Sequence, residues 1–160
     1  MPTAVIVDAV RTPLGRRNGK LKDVHPVDLA AHVLKTVVER TDIDPALVED
    51  VIMGCVMQVG AQGVNVGRNA ALAAGFPEST VGTTIDRQCG SSQQAAHFAA
   101  QGVMAGAYDV VIAAGVENMS TVPMGASFAK GEYGVPFGPM MTGRYPNLVP
   151  QGISAELISE

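Results

Sequence analysis

The stretch Thr-Thr-Ile-Asp-Arg-Gln-Cys-Gly-Ser-Ser-Gln-Gln-Ala, residues 83–95, joins two segments of opposite character. The β-branched run Thr80–Ile85 comes before it and predicts a buried strand. The alanine-rich run Gln93–Met104 comes after it and predicts a helix. Cys89 is therefore expected at a strand-to-helix turn, at the carboxyl edge of a sheet.

This position suits a cysteine nucleophile. The first N–H groups of a helix lack partners, and the helix dipole favours negative charge there. A thiolate is the reactive form of cysteine, so Cys89 is a candidate for covalent catalysis. The small residues Gly90, Ser91 and Ser92 would let a substrate carbonyl approach the sulfur closely. The alternative is that Cys89 is a small buried hydrophobic residue, as lone cysteines usually are.

Strand-like and helix-like segments alternate along the rest of the chain. This alternation predicts an α/β fold with a mostly parallel sheet and helices on both faces. Besides Thr80–Ile85, the predicted strands are Thr3–Val10, Val51–Val56, which contains Cys55 as a core residue, and Asp109–Gly115. The predicted helices are Pro26–Arg40, Arg68–Ala74, Gln93–Met104 and a last one beginning in Ser154–Glu160.

Composition limits the classes of function. Of the 160 residues, 47% are hydrophobic and only 4% aromatic, so one aliphatic core is expected. The net charge of −4 argues against nucleic acid as a partner. Two cysteines make no disulfide framework, and no spacing suggests a metal site. Met1–Val10 is predicted as a strand and not a signal peptide, no run is apolar enough to span a membrane, and a cytoplasmic location is expected.

The segment Asp86–Ala95 resembles the acyl-cysteine segment of the thiolases, which usually reads Asn-x-x-Cys-x-Ser-Gly-x-x-Ala. This chain has Asp86 in place of the Asn and Ser92 in place of the Gly. Several separated matches in one order are more specific than any one alone. The others are Arg11–Gly15, Val51–Val56, Asn65–Arg68, Ala113–Ser120 followed by Pro123, and Gln151–Glu156.

The resemblance implies acyl transfer between coenzyme A thioesters. Cys89 would attack the keto carbon of a 3-oxoacyl-CoA, release acetyl-CoA and carry the acyl group as a thioester. The backbone N–H of Cys89 is the candidate oxyanion donor. Coenzyme A would be a substrate, and no cofactor or metal is implied. Met119 and Gln151 are the predicted substrate-binding residues; thiolases acting on short chains often have Met where this chain has Gln151.

The resemblance also implies that this chain corresponds to an amino-terminal part. Residues 1–120 would form an α/β domain lacking its last strand, and residues 121–160 would begin a loop or lid domain. The family's carboxyl half supplies that strand, leaving an open sheet edge here, and it supplies the histidine that activates the nucleophile. We therefore expect no turnover from this chain alone, a carboxyl-terminal half as partner, and assembly into dimers or tetramers.

Two other interpretations remain open. A ketoacyl synthase-like condensing enzyme also uses a cysteine at a strand-to-helix turn, but the Arg11–Gly15 opening and the Glu117–Ser120 loop favour a thiolase. A non-catalytic assembly fragment would have a structural Cys89. Rapid alkylation of Cys89 with protection by substrate favours an active site, and slow alkylation favours the fragment.

Overall fold

A computed structural model describes residues 3–159. Its three strands form one parallel sheet in the order β2-β1-β3, which confirms the predicted α/β class. The strands are β1 (Asp50–Gly54), β2 (Val81–Ile85) and β3 (Val111–Gly115). The α-helices are α1 (Pro26–Thr41), α2 (Val66–Ala73), α3 (Ser91–Ala105), α4 (Pro139–Arg144) and α5 (Gln151–Ser159).

The central strand β1 separates two layers of apolar side chains, because successive strand residues point to opposite faces. Val51 and Met53 pack with buried residues of α1 and α2. Ile52 packs on the other face with Ala95 and Ala99 of α3. All five residues of β1 are buried, as expected for a central parallel strand covered on both faces.

The amino-terminal run Thr3–Val10 is not a strand, contrary to the sequence-based prediction. Val5, Ile6 and Val7 are 76%, 90% and 71% exposed. A strand requires a neighbour for its backbone N–H and C=O groups, and none pairs with this run within residues 3–159. An open groove of about 1370 Å³ has this run on one side and β3 on the other. The outer edge of β3 is therefore unpaired within residues 3–159, as is the outer edge of β2.

The strand before Cys89 is also less buried than predicted. Val81 is 56% exposed, and no residue of β2 is fully buried. The reason is that β2 lies at an edge of the sheet and pairs only with β1. It begins at Val81, one residue later than expected, with Thr80 buried just before it.

The chain divides into two compact units, one ending at Ser127 and the other beginning at Phe128. The first contains the sheet with α1–α3. The second contains α4 and α5, neither of which has a buried residue. Among the described residues, no helix has the length and apolar character needed to cross a membrane.

Candidate active site

The carboxyl ends of all three strands meet at one edge of the sheet. Gly54 at the end of β1 is in register with Ile85 of β2 and Gly115 of β3. The loops after these strands therefore begin side by side, as is usual for ligand-binding edges of parallel sheets. They carry Cys55, the turn Asp86–Gly90, and Glu117.

Cys89 is exposed and lies between the end of β2 and the start of α3, as predicted. The residue before it, Gln88, has a left-handed φ of +48°. This conformation is unfavourable for a residue with a side chain, so contacts around the turn must hold it. One is the carboxylate of Asp86, which accepts a hydrogen bond of 2.7 Å from the N–H of Gln88.

Two glycines allow α3 to begin directly against the sheet. A Cβ atom at Gly54 would lie 2.3 Å from the backbone nitrogen of Ser92, and one at Gly115 would lie 2.6 Å from the Ser92 Cβ. Both distances are too short for real atoms, so only glycine allows this approach. Gly54 and Gly115 thus fix the position of the first turn of α3 against the sheet. The position of Cys89, two residues before α3, follows from it. The sequence-based reasoning assigned the two glycines no role.

Free backbone donors remain where α3 begins. The N-cap residue Gly90 provides no side-chain cap. Within residues 3–159, the N–H groups of Cys89, Ser92 and Gln93 donate to no acceptor. Donors of this kind at a helix amino end can stabilise a negatively charged oxygen beside the thiol.

Cys55 is the contrasting thiol of this edge. It comes directly after β1 and is 1% exposed, which confirms its predicted packing role. Burial, reinforced by the negative charge and hydrogen bond of Glu117, raises the pKa of the Cys55 thiol to about 12. The thiol is therefore protonated, and inert as a nucleophile, near neutral pH.

The carboxylate of Glu117 joins the loops after β1 and β3. It accepts hydrogen bonds from the N–H of Val56 at 2.8 Å and of Met57 at 3.3 Å. A third, at 2.8 Å, comes from the side-chain amide of Gln62, which is fully buried. The amide oxygen of Gln62 in turn accepts from the N–H of Asn118 at 2.7 Å. The sequence placed Glu117 in the loop after a strand but predicted none of these bonds, and Gln62 gave no signal.

The same loop presents Met119, which is 57% exposed beside the buried Asn118. The Asn118 side chain donates to the carbonyl of Val24 at 3.0 Å and accepts from the N–H of Ser120 at 3.2 Å. These bonds hold the loop, so Met119 stands exposed on a fixed backbone. Gln151, the other predicted substrate-binding residue, is exposed at the start of α5 in the second unit.

A sequence-family profile described as the N-terminal domain of thiolase matches residues 4–136. That range covers most of the chain and includes all three strands, the Cys89 turn and the Glu117 loop. The chain belongs to the thiolase family.

Relatives place this thiolase chain within longer proteins. It is 52% identical over 132 residues to a steroid 3-ketoacyl-CoA thiolase of Mycobacterium tuberculosis, covering 82% of this chain and 32% of the relative. It is 41% identical over 162 residues to a 3-ketoacyl-CoA thiolase of Idiomarina loihiensis, covering 99% of this chain and 40% of the relative.

A solved structure agrees with the fold. The crystal structure of the acetyl-CoA acetyltransferase of Bacillus anthracis matches with a TM-score of 0.73 and 46% identity, over 76% of this chain and 30% of that one. This thiolase chain therefore spans about a third of the length of the relatives it matches, and it corresponds to their amino-terminal part.

Proposed function

We propose that Cys89 is the acyl-accepting nucleophile of a thiolase. The observation that carries this proposal is the exposed thiol of Cys89 in the turn between β2 and α3. In thiolytic cleavage, its thiolate attacks the keto carbon of a 3-oxoacyl-CoA, the carbon–carbon bond breaks, and acetyl-CoA leaves after protonation of its carbanion. The thiolate of coenzyme A then attacks the acyl-Cys89 thioester, forms the shortened acyl-CoA and releases the thiolate of Cys89. The reverse sequence joins two acyl-CoA molecules.

The backbone N–H of Cys89 is the proposed donor to the oxyanion formed in each attack. It is free of any acceptor within the described residues and belongs to the same residue as the reacting side chain. A donor fixed in this way needs no rearrangement when negative charge develops on the substrate oxygen. The free N–H groups of Ser92 and Gln93 add positive potential at the same helix end.

The proposed substrates are thioesters of coenzyme A. Relatives named as 3-ketoacyl-CoA thiolases and an acetyl-CoA acetyltransferase support this class. Met119 is proposed to contact the acyl group because it is exposed on a loop fixed at the carboxyl edge. Gln151 is proposed as a second contact, and its presence where short-chain thiolases often have Met argues against a simple preference for acetoacetyl-CoA.

A complete enzyme is proposed to need a carboxyl-terminal half, on the same chain or on another. The groove beside β3 supports this, since it presents the unpaired edge of a strand and the apolar run Thr3–Val10. We assign residues 1–120 to the amino-terminal domain and 121–160 to the start of a loop domain. Without a general base from elsewhere to activate the thiol, this chain alone should show no turnover.

Assembly and location are proposed from the exposed surfaces of the first unit. The exposed edge of β2 and the small exposed residues of α3 suit contacts with a second copy, in a dimer or tetramer. A reducing cytoplasm suits an enzyme that depends on an exposed free thiol.

The decisive experiment uses the complete enzyme that contains this chain. It is incubated with a 3-oxoacyl-CoA, quenched in acid, digested, and analysed for an acyl adduct by mass spectrometry. The adduct is expected on Cys89 in the wild type and on no residue in Cys89→Ala. Cys55→Ala is the matched control, and it should retain the adduct on Cys89. An adduct that persists in Cys89→Ala would contradict the proposal.

A further inference from the structure

We propose that Ser91 is a positioning residue that holds the backbone of the Cys89 turn. The inference rests on the proposed function, because it assumes that the geometry of Cys89 matters for acyl transfer. Ser91 is the first residue of α3 and is 5% exposed, so its hydroxyl is nearly closed off from water. A buried hydroxyl must find its hydrogen-bond partners within the protein.

The hydroxyl of Ser91 makes two hydrogen bonds, both to the backbone before Cys89. It accepts one of 2.9 Å from the N–H of Arg87 and donates one of 2.6 Å to the carbonyl of Gln88. The N–H of Ser91 also donates to the carbonyl of Gln88 at 3.1 Å. One side chain therefore closes the loop across Cys89, joining the residues on its amino side to the helix on its carboxyl side.

The bonds made by Ser91 hold the backbone at and beside Gln88, the residue with an unfavourable conformation. Gln88 has the left-handed φ of +48°, so the turn would relax toward another conformation if its contacts were removed. Arg87 is held a second time, since its guanidinium donates to the side-chain oxygen of the buried Gln94. The turn is thus fixed from α3 through two residues of its first turn, Ser91 and Gln94.

The neighbouring Ser92 provides a matched control. It also lies in the first turn of α3, but it is exposed and its hydroxyl makes no hydrogen bond within residues 3–159. Ser92→Ala removes only this hydroxyl: it keeps the free backbone N–H of residue 92 and the Cβ atom that packs near Gly115. Removal of this hydroxyl should therefore leave the turn unchanged, whereas removal of the Ser91 hydroxyl should release it.

The test measures the iodoacetamide alkylation rates of Cys89 and Cys55 separately, by mass spectrometry of the whole 160-residue chain at pH 7. We expect Ser91→Ala to slow alkylation of Cys89 by about tenfold, the equivalent of one hydrogen bond. Ser92→Ala should match the wild type, and Ser91→Thr, which keeps the hydroxyl, should restore the rate. Because Cys55 is buried, its rate reports general loosening and should stay constant.

Three results would overturn the inference: a Cys89 rate within about twofold of wild type in Ser91→Ala, equal acceleration of both cysteines, or no restoration in a folded Ser91→Thr. If Ser91→Ala does not fold, amide hydrogen exchange of the wild type decides instead. The Arg87 amide should exchange slowly because Ser91 accepts its hydrogen, and fast exchange overturns the inference.

Failure of this inference is distinguishable from failure of the proposed function. If wild-type Cys89 reacts rapidly but Ser91→Ala changes nothing, Cys89 remains the nucleophile and Ser91 has no positioning role. If wild-type Cys89 reacts as slowly as Cys55, the proposed nucleophile itself is wrong. In the complete enzyme, Ser91→Ala should lower kcat for acyl transfer about tenfold with little change in KM, because the residue acts on the reacting thiol and not on substrate binding.

Discussion

Cys55 and Cys89 come after neighbouring strands of one sheet, and their surroundings are opposite. Cys55 comes after the central strand β1, is 1% exposed, and lies beside the carboxylate of Glu117. Cys89 comes after the edge strand β2, is exposed, and lies beside the free N–H groups of a helix. The same side chain is thus made inert at one strand end and available at the next.

The difference arises from the loop at the carboxyl end of each strand. After β1, the N–H of Val56 and the side-chain amide of Gln62 both donate hydrogen bonds to the carboxylate of Glu117. These donors of the loop therefore have acceptors within the protein. After β2, the chain makes a strained turn and enters α3, where backbone donors are left over. Reactivity at this edge therefore depends on local backbone geometry more than on the presence of a thiol.

The largest expected effect is the difference in labelling between the two thiols. With a pKa of about 12, Cys55 is ionised to only about one part in 10⁵ at pH 7, and burial blocks the reagent further. We expect Cys89 to be alkylated at least about a thousandfold faster than Cys55. The Cys55 rate should rise about tenfold per pH unit up to about pH 11 as its thiolate fraction grows. Similar alkylation rates of Cys55 and Cys89 at pH 7 would contradict the proposed difference in reactivity between the two thiols.

The next effect concerns the glycines under α3. Gly54→Ala and Gly115→Ala place a Cβ atom against Ser92, so each should lower the free energy of unfolding by about 1–3 kcal/mol and slow Cys89 alkylation. Denaturant unfolding and thiol labelling measure the two effects. Gly152→Ala is the control, because nothing lies within 4 Å of its new Cβ. If Gly54→Ala changes unfolding and thiol labelling no more than Gly152→Ala does, α3 does not pack against Gly54 as described.

A smaller effect is expected at Glu117. In Glu117→Gln, one acceptor oxygen is replaced by an NH₂ group that faces N–H donors, so unfolding should become about 1–3 kcal/mol easier. Loss of the charge should also lower the pKa of Cys55 and speed its alkylation. The ratio of the Cys89 to the Cys55 alkylation rate should therefore fall. Glu78→Gln, an exposed carboxyl whose side chain makes no hydrogen bond in the described structure, should change neither measurement.

The smallest effect lies at the opposite, amino-terminal edge of the sheet. Hydrogen bonds from the N–H groups of Asp109 and Val110 hold the pKa of Glu49 below its ordinary value of 4.5. A lowered folded-state pKa stabilises the fold above pH 4.5, and this contribution is lost as pH falls through the folded value. Thermal unfolding of Glu49→Gln at about pH 6 and about pH 3 should therefore show a slightly weaker loss of stability in acid than the wild type. If Glu49→Gln and the wild type lose equal stability between these two pH values, ionisation of Glu49 does not contribute to stability.

Local sequence patterns predicted the features that depend on short-range interactions. The β-branched run before Cys89 and the alanine-rich run after it predicted β2, the turn and α3 within about two residues. The match between Asp86–Ala95 and a thiolase segment predicted the family, which the profile over residues 4–136 confirms. Such patterns suffice because strand and helix propensities, and a motif of neighbouring residues, lie within a few positions of each other.

Two wrong predictions and one overlooked residue all depend on partners distant in the sequence. Thr3–Val10 has strand-like residues, but a strand forms only where a neighbouring backbone accepts it, and none does so among the described residues. Val81 is hydrophobic but exposed, because β2 became an edge strand. Gln62 was overlooked because its partners, Glu117 and Asn118, lie 55 and 56 positions away.

By itself, the sequence determined the α/β class, the family, and the place of Cys89 between a strand and a helix. Each of these follows from patterns and motifs within short stretches of neighbouring residues. Only the tertiary structure decided why Gly54 and Gly115 have no side chain, how Glu117 joins two loops through Gln62, and how Ser91 closes the turn. These features require chain segments that are far apart in sequence to meet at atomic contact distance, and no local pattern encodes that meeting.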